Sequence, residues 1–378
     1  MHITNRNHGQ RFLISAYTGL GNFILKTPMI RTIKEIWPDS LVDIIAGNSF
    51  GTEFVLEGSN LINKTYILKM DATFKEKLKF FLLLRRNHYD AVLLPFDACP
   101  TFLLLGSLLT GGAKLIHIDF NAGQSLKQKI KNIFCISGLS RAVTVPLLRG
   151  RHEIDLNYDL LEAFYGKPLD RDYKTCLSHR DDNAAVTGFG LDGVKYIVIQ
   201  PTASNGETTC KVWAPKNFEE LVSRIRSKHP VVKIVLVGDE GDLHSLKDSP
   251  LLRMDGVVNT LGKTTLNEVC TIIKNALAVI AHDSGIMHIA NALDVDLIAL
   301  LGPTDYTRTR PLGGKSRILY SKNECFAAMY DSNVSEKDLA ERFPDYYCMS
   351  NITADNVMEQ IEDILYDYSA QVKETVVS

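Results

Sequence analysis

Apolar residues along the chain come in short runs separated by amphipathic stretches. RFLISA (11–16), LVDIIA (41–46), DAVLLP (90–95) and AKLIHID (113–119) read as strands. Between the first two, Ile30, Ile33 and Trp37 recur at helical spacing, and Pro38-Asp39 ends that helix. Pro28 falls inside it, where a proline loses a hydrogen bond and clashes with the preceding turn. Either the helix is kinked there, or Thr27 caps a new start with Pro28 as its first residue. HEIDLNYDLLEAFYG (152–166) reads as a helix stopped by Gly166. After a polar, glycine-containing interval at 179–194, taken as a linker, the pattern restarts. KYIVIQ (195–200), VKIVLVG (232–238), LAVIA (277–281) and LIALLG (297–302) are strands, and helices are expected around Phe218–Ile225, at 266–276 and at 286–293. Alternation of this kind predicts an α/β fold with parallel sheets covered by helices, here two doubly wound, Rossmann-like domains. Val357, Ile361, Ile364 and Leu365 share one face of a final docked helix.

Composition narrows the class. A chain of 378 residues is long for one core and suits two domains. The formal net charge of −2 gives no global pull toward nucleic acid or anionic membrane. Seven scattered cysteines without a C-x-x-C pair predict reduced thiols rather than a disulfide framework or structural zinc. The polar N-terminus lacks a signal peptide's apolar core, and no run approaches the roughly 18 apolar residues of a membrane span. A cytoplasmic protein is expected. The basic stretch SLKQKIKN (125–132) is read as a solvated helix face, with contact to a phosphorylated glycan or lipid surface as the alternative.

Candidate chemistry gathers at strand ends. In VIAHDSGIMHIANALDVDLIALLGPTD (279–305) a strand runs into a helix start, where free backbone N–H groups and the helix dipole favour anions. Asp283 and Ser284 are natural N-caps, Gly285 lets a phosphate approach the backbone, and His288 follows one turn on. The plainer alternative is a capped helix with a satisfied, half-buried histidine. QPTASNGETTCKVWAPKNF (200–218) also leaves a strand end, through Thr202 and Ser204, and brings Lys211 within reach of a diphosphate; a solvated loop lysine is the competing reading. In VGDEGD (237–242), Glu240 stands where an acid meets ribose hydroxyls in nucleotide-binding sheets. LGKTT (261–265) mimics the tail of a Walker A loop, but Gly256 and Gly262 enclose five residues instead of four, so a P-loop is rejected. Lys263 and Thr264 are kept only as helpers at the next helix start. DVD (294–296) reads as a turn rather than a metal site.

With these constellations in view, the chain resembles glycosyltransferase family 9, the ADP-heptose:lipopolysaccharide heptosyltransferases and their relatives. AHDSGIMHIANALDVDLIALLGPTD is similar to the family's D-[ST]-G-x-x-H-x-A-x-A…G-x-T-[DS] signature, PTASNGETTCKVWAPKNFEEL to its P-G-A-S…K-x-W segment, and GLGNFILKTPMIRTIKEIWPDSLVDIIAG to its G-x-G-D-x-x-x-x-T-P opening. The resemblance implies a GT-B architecture: an acceptor-binding domain over 1–178, a nucleotide-sugar domain over 195–350, and a helix over 351–378 packing back toward the first. It implies an inverting, metal-independent transfer of a heptose-like sugar from an ADP-type donor to a lipopolysaccharide-core glycan. No cofactor, metal site or nucleic-acid partner is expected, and membrane contact is at most peripheral, at the inner face of the inner membrane. Asp283, Ser284, Gly285 and His288 match the stretch that wraps the diphosphate, Lys211 a phosphate-neutralising lysine, and Glu240 the ribose acid. Gly19, Gly21 and Asn22 match the acceptor-side loop.

Two positions depart from the family. Asn22 stands where the family's catalytic aspartate is expected, and an amide does not take a full proton at neutral pH. Three readings stay open: Asp97 serves as base, Asn22 only orients the acceptor, or transfer is lost. Thr202 also replaces a glycine usual in the family. A non-catalytic nucleotide-sugar-binding protein and an NAD-dependent dehydrogenase remain as rivals, the second opposed by the lack of G-x-G-x-x-G in either half.

Overall fold

A computed structural model describes residues 9–17, 19–47, 51–96, 101–102, 105–106, 112–119, 142–148, 150–203, 210–325, 336–343 and 346–377. Asp97, Ser204 and the stretch 125–132 lie outside the described residues. The chain divides into two compact units, Met1–Ser178 and His179–Ser378.

Among the described residues, the first unit holds six parallel strands: β1 Arg11–Ala16, β2 Leu41–Gly47, β3 Lys64–Leu68, β4 Ala91–Leu94, β5 Lys114–Ile118 and β6 Ala142–Val145. Their order across the sheet is β3-β2-β1-β4-β5-β6. Among its described helices are α1 Leu20–Ile24, α2 Thr27–Ile36, α3 Phe74–Leu84 and α4 Glu153–Tyr165. Pro28 is accommodated by a break: α1 ends at Ile24, Lys26 occupies the cap position of α2, and Pro28 sits in its first turn. The Thr27 hydroxyl donates back to Ile24 O at 2.7 Å. Gly166 closes α4 in the left-handed region at φ 86°. Phe12, Trp37 and Phe164 meet at 5.2–5.8 Å between ring centres and join β1 to α2 and α4.

The second unit repeats the plan with β7 Tyr196–Ile199, β8 Lys233–Leu236, β9 Val257–Asn259, β10 Ala278–His282, β11 Leu297–Leu301 and β12 Ser316–Tyr320. Their order is β12-β11-β10-β7-β8-β9, again all parallel. Among the described residues its helices are α5 Asn183–Gly188, α6 Pro215–Lys228, α7 Glu240–Ser245, α8 Leu266–Lys274, α9 Gly285–Ala292, α10 Tyr306–Thr309, α11 Glu336–Arg342 and α12 Ala354–Val377. Central strands β7, β10 and β11 are buried along their whole length, whereas edge strands β9 and β12 are half-buried. Both sheets carry the doubly wound order of a Rossmann unit, with a reversal beside the first strand.

The interval 179–194 belongs to the second unit and contains α5, whose Ala185 and Val186 are buried, while Asp182 N donates to Thr271 Oγ1 on α8. The last helix puts Val357, Ile361 and Ile364 into the second unit's core beside Phe218 and Ile225 of α6. Cys325 and Cys348 form a disulfide, with Cα atoms 5.3 Å apart. Their 23-residue separation gave no linear motif, and only the fold brings them together. No helix among the described residues is long and apolar enough to cross a membrane.

Candidate functional site

In the second sheet the order reverses between β7 and β10, the place where doubly wound sheets bind ligands beyond the carboxyl ends of their strands. Among the described residues, five helices start at those ends, and they differ in how their first N–H groups are used. On α7, Asp239 accepts from Asp242 N while Asp242 accepts from Asp239 N. On α8, Thr265 and Glu268 make the same reciprocal box, and Asp305 caps α10. The two helices flanking the reversal have no side-chain cap. Ala214 precedes α6 with Pro215 in its first turn, and Ser284 occupies the cap position of α9 without bonding its amides. The Ser284 hydroxyl instead donates to Gln200 Oε1 at 2.5 Å. Amides and dipole at the start of α9 therefore face the carboxyl end of the sheet without a side-chain cap from Ser284 and with no acidic residue in the helix's first turn.

Other predicted residues take definite places around this start. Asp283, Ser284, Gly285 and Ile286 form a half-buried step between buried β10 and the buried turn Met287–Ala290. Asp283 Oδ1 accepts from Thr309 Oγ1 at 3.4 Å, and His288 is buried, 4% exposed. Thr202 is buried at the end of β7, and Lys211 is half-buried on the turn leading to α6. Glu240 opens α7, exposed, after β8, the strand next to β7. Lys263 stands apart. It follows edge strand β9, roughly 10 Å from β7 at the usual strand spacing, and its ammonium donates to Asn259 O at 2.9 Å. Glu268 already fills the start of α8 that Lys263 and Thr264 were expected to share with a phosphate.

Sequence reasoning missed Gln200, His282 and Arg308. Gln200 (7% exposed) and His282 (0%) are polar residues closing two otherwise apolar strands, which is the signal that would have found them. His282 Nε2 accepts from Trp213 N at 2.9 Å, and its Nδ1 donates to Thr202 O at 3.1 Å. Burial pushes this imidazole down to about 4, against the opposing influence of the Thr202 carbonyl and the nearby Asp283. Arg308 is a buried arginine (5% exposed) on α10, next to the Thr309 that reaches Asp283. Asp242 is raised, chiefly by burial, with the Thr202 hydroxyl and Asp239 N–H favouring the anion and the Asp239 carboxylate opposing it. A depression of about 700 Å³, lined by Lys195, Lys274, Asp296 and Lys315 among others, opens at the opposite end of this sheet, where its strands begin. Its position separates it from all the groups above.

In the first unit the reversal lies between β1 and β4. The chain leaves β1 through Gly19, at φ 62° and ψ 135°, a conformation open to glycine and strained for other residues. Gly19 precedes α1 without a side-chain cap. Of residues 20–30, Asn22 alone is not buried. Beneath it Lys26 is 1% exposed and donates from Nζ to Asn22 O at 3.0 Å. Gly21 is buried one residue earlier.

Residues 78–337 match the family model described as glycosyltransferase family 9 (heptosyltransferase). The chain belongs to glycosyltransferase family 9. It is a glycosyltransferase by that membership, and its relatives carry consistent names. It is 27% identical over 301 residues to lipopolysaccharide heptosyltransferase 3 of Escherichia coli, covering 77% of this chain and 83% of the relative. A 62-residue segment, 16% of this chain and 18% of the relative, is 52% identical to lipooligosaccharide heptosyltransferase 2 of Haemophilus influenzae. Among solved structures, the family 9 glycosyltransferase of Veillonella parvula superposes with a TM-score of 0.75 at 17% identity, covering 97% and 99% of the two chains. ADP-heptose lipopolysaccharide heptosyltransferase II of E. coli superposes with a TM-score of 0.70 at 20% identity, covering 95% and 100%. E. coli heptosyltransferase WaaC, solved with ADP, gives 0.63 at 17% identity over 94% and 100%. At these identities the superpositions establish the shared fold, two doubly wound α/β units.

Proposed function

We propose that this family 9 enzyme transfers heptose from ADP-heptose to a lipopolysaccharide-core glycan, inverting the anomeric carbon and needing no metal ion. The observation that carries the reading is the pair of helix starts flanking the β7–β10 reversal, both without acidic caps, with Lys211 held beside one of them. A diphosphate leaving group gains negative charge as its bond to the anomeric carbon opens. Amides at the start of α9 and the Lys211 ammonium answer that charge where it develops. Ser284, Gly285 and Thr202 shape the cradle, and the Ser204 hydroxyl is a further donor to the phosphates. Asp283 and His288 steady the turn, and Glu240 takes the ribose hydroxyls one strand away. An acceptor hydroxyl attacks from the opposite face of the sugar, and its proton must pass to a base. Asn22 orients that hydroxyl at the acceptor loop, Gly19 and Gly21 let the glycan approach, and Asp97 takes the proton. The enzyme works in the cytoplasm, meeting a lipid-linked acceptor at the membrane face.

Three variants test the assignment. Lys211→Ala lowers kcat by about 100-fold, the size expected for one charge-stabilising donor, while the acceptor KM stays near wild type. A raised acceptor KM alone would remove Lys211 from the donor site. Asp97→Asn abolishes turnover if Asp97 is the base; full activity in that variant returns the question to Asn22, and Asn22→Asp then becomes the informative substitution. The amide at position 22 favours one second reading, a nucleotide-sugar-binding protein without transfer. Release of free ADP from ADP-heptose in the presence of acceptor separates the two.

A further inference from the structure

We infer that His282 is a positioning residue that sets the distance between the two donor-binding elements by clamping both ends of the Lys211 loop to the last residue of β10. This inference rests on the donor reading above. His282 is fully buried, and its ring bonds on either side of the connection from β7 to α6: Nδ1 to Thr202 O at 3.1 Å and Nε2 to Trp213 N at 2.9 Å. The tautomer follows from chemistry. A backbone N–H only donates, so Nε2 must be the bare nitrogen, and the proton of the neutral ring sits on Nδ1, where a carbonyl accepts it.

The clamp is itself braced. Phe218 meets the imidazole edge-to-face at 5.7 Å and Trp213 at 4.8 Å, and Trp213 Nε1 donates to Ile352 O at 2.7 Å. Lys211 lies two residues before the clamped Trp213, and Asp283 follows His282 directly in the chain. One side chain thus joins the element bearing the lysine to the strand that launches α9. A diphosphate held by Lys211 and by the amides of α9 needs that separation fixed, because misplacement by about 1 Å can cost 10²-fold in rate. His282 has no need to touch the donor to matter.

The test uses the full-length protein, with His282→Leu removing both bonds and His282→Gln restoring a donor and an acceptor on one planar group. Affinities for ADP and AMP are measured by calorimetry, with ADP-heptose turnover alongside. His282→Leu is expected to weaken ADP at least tenfold while changing AMP less than threefold, because the clamp serves the distal phosphate; His282→Gln recovers most of the loss. Wild-type ADP affinity in His282→Leu, or an equal fall for ADP and AMP, overturns the inference. If the wild type itself binds ADP no better than AMP, the donor reading fails first and is recognised as the cause. Should His282→Leu not fold, the wild type decides. Its imidazole nitrogen shifts must report the Nδ1–H form, and Trp213 amide exchange must slow with ADP but not with AMP. The opposite tautomer, or exchange indifferent to ADP, overturns the clamp.

Discussion

At the scale of single residues, the second unit depends on side chains whose partners differ from those expected. Ser284 stands at a helix cap yet gives its hydroxyl to Gln200, and this leaves the first amides of α9 without a cap from its side chain. His282 carries a pH dependence with a definite sign. Its ordinary value of 6.5 applies to the unfolded chain, and burial lowers it to about 4 in the folded one. Between those values the unfolded chain binds the extra proton. The contribution is complete above about pH 6.5 and is lost as pH falls toward about 4, on the order of 3 kcal/mol for a shift of this size. Thermal melts over that window should show the decline, and His282→Gln should flatten its share. An unchanged slope in the variant would assign the decline to other groups.

At the scale of elements, two substitutions separate support from function. Thr265→Ala removes half of the reciprocal box on α8 and should cost about 1 kcal/mol, with ADP affinity unchanged because α8 begins beyond edge strand β9. Denaturant melts and calorimetry check the two halves of that statement. Gly302, just past β11, works by absence of a side chain. A Cβ there would overlap Met349 Sδ and lie 3.2 Å from Cys210 O and 3.3 Å from Cys348 O. Gly302→Ala should therefore destabilise by about 1–3 kcal/mol through overpacking, measured by chemical unfolding. The elements legible in advance were the central ones. RFLISA, DAVLLP, KYIVIQ and LIALLG are buried on both faces and read as continuous apolar runs. KTYIL, AVTV and SRILY escaped notice because edge strands are short and half-exposed, so their apolar signal is diluted.

At the scale of the whole molecule, two units of one plan carry different chemistry at equivalent reversals. The first exposes Asn22 above a buried lysine, and the second presents Lys211 and the open start of α9. The second unit is also tied covalently. Closing 23 residues by Cys325–Cys348 should stabilise it by about 3 kcal/mol, so calorimetry with and without a reductant should show its transition move down on reduction. Cys348→Ser should melt like the reduced wild type. No movement in either case would mean that packing around Cys210, Cys325, Leu339 and Cys348 already holds this region.

Local pattern by itself determined that there are two parallel α/β units, where their central strands lie, and which glycine-marked strand ends run into helix starts, because apolar periodicity and turn residues act over a few neighbouring positions. The short motifs also placed Lys211, Asp283, Ser284 and Asn22 at such ends. Only the tertiary structure decided which ends meet. Sheet order puts β7 beside β10, joins Gln200 to Ser284 and Thr202 to His282, and leaves Lys263 on the far edge. Those contacts span about 80 residues of chain, and a hydrogen bond across such a gap leaves no periodic trace in sequence.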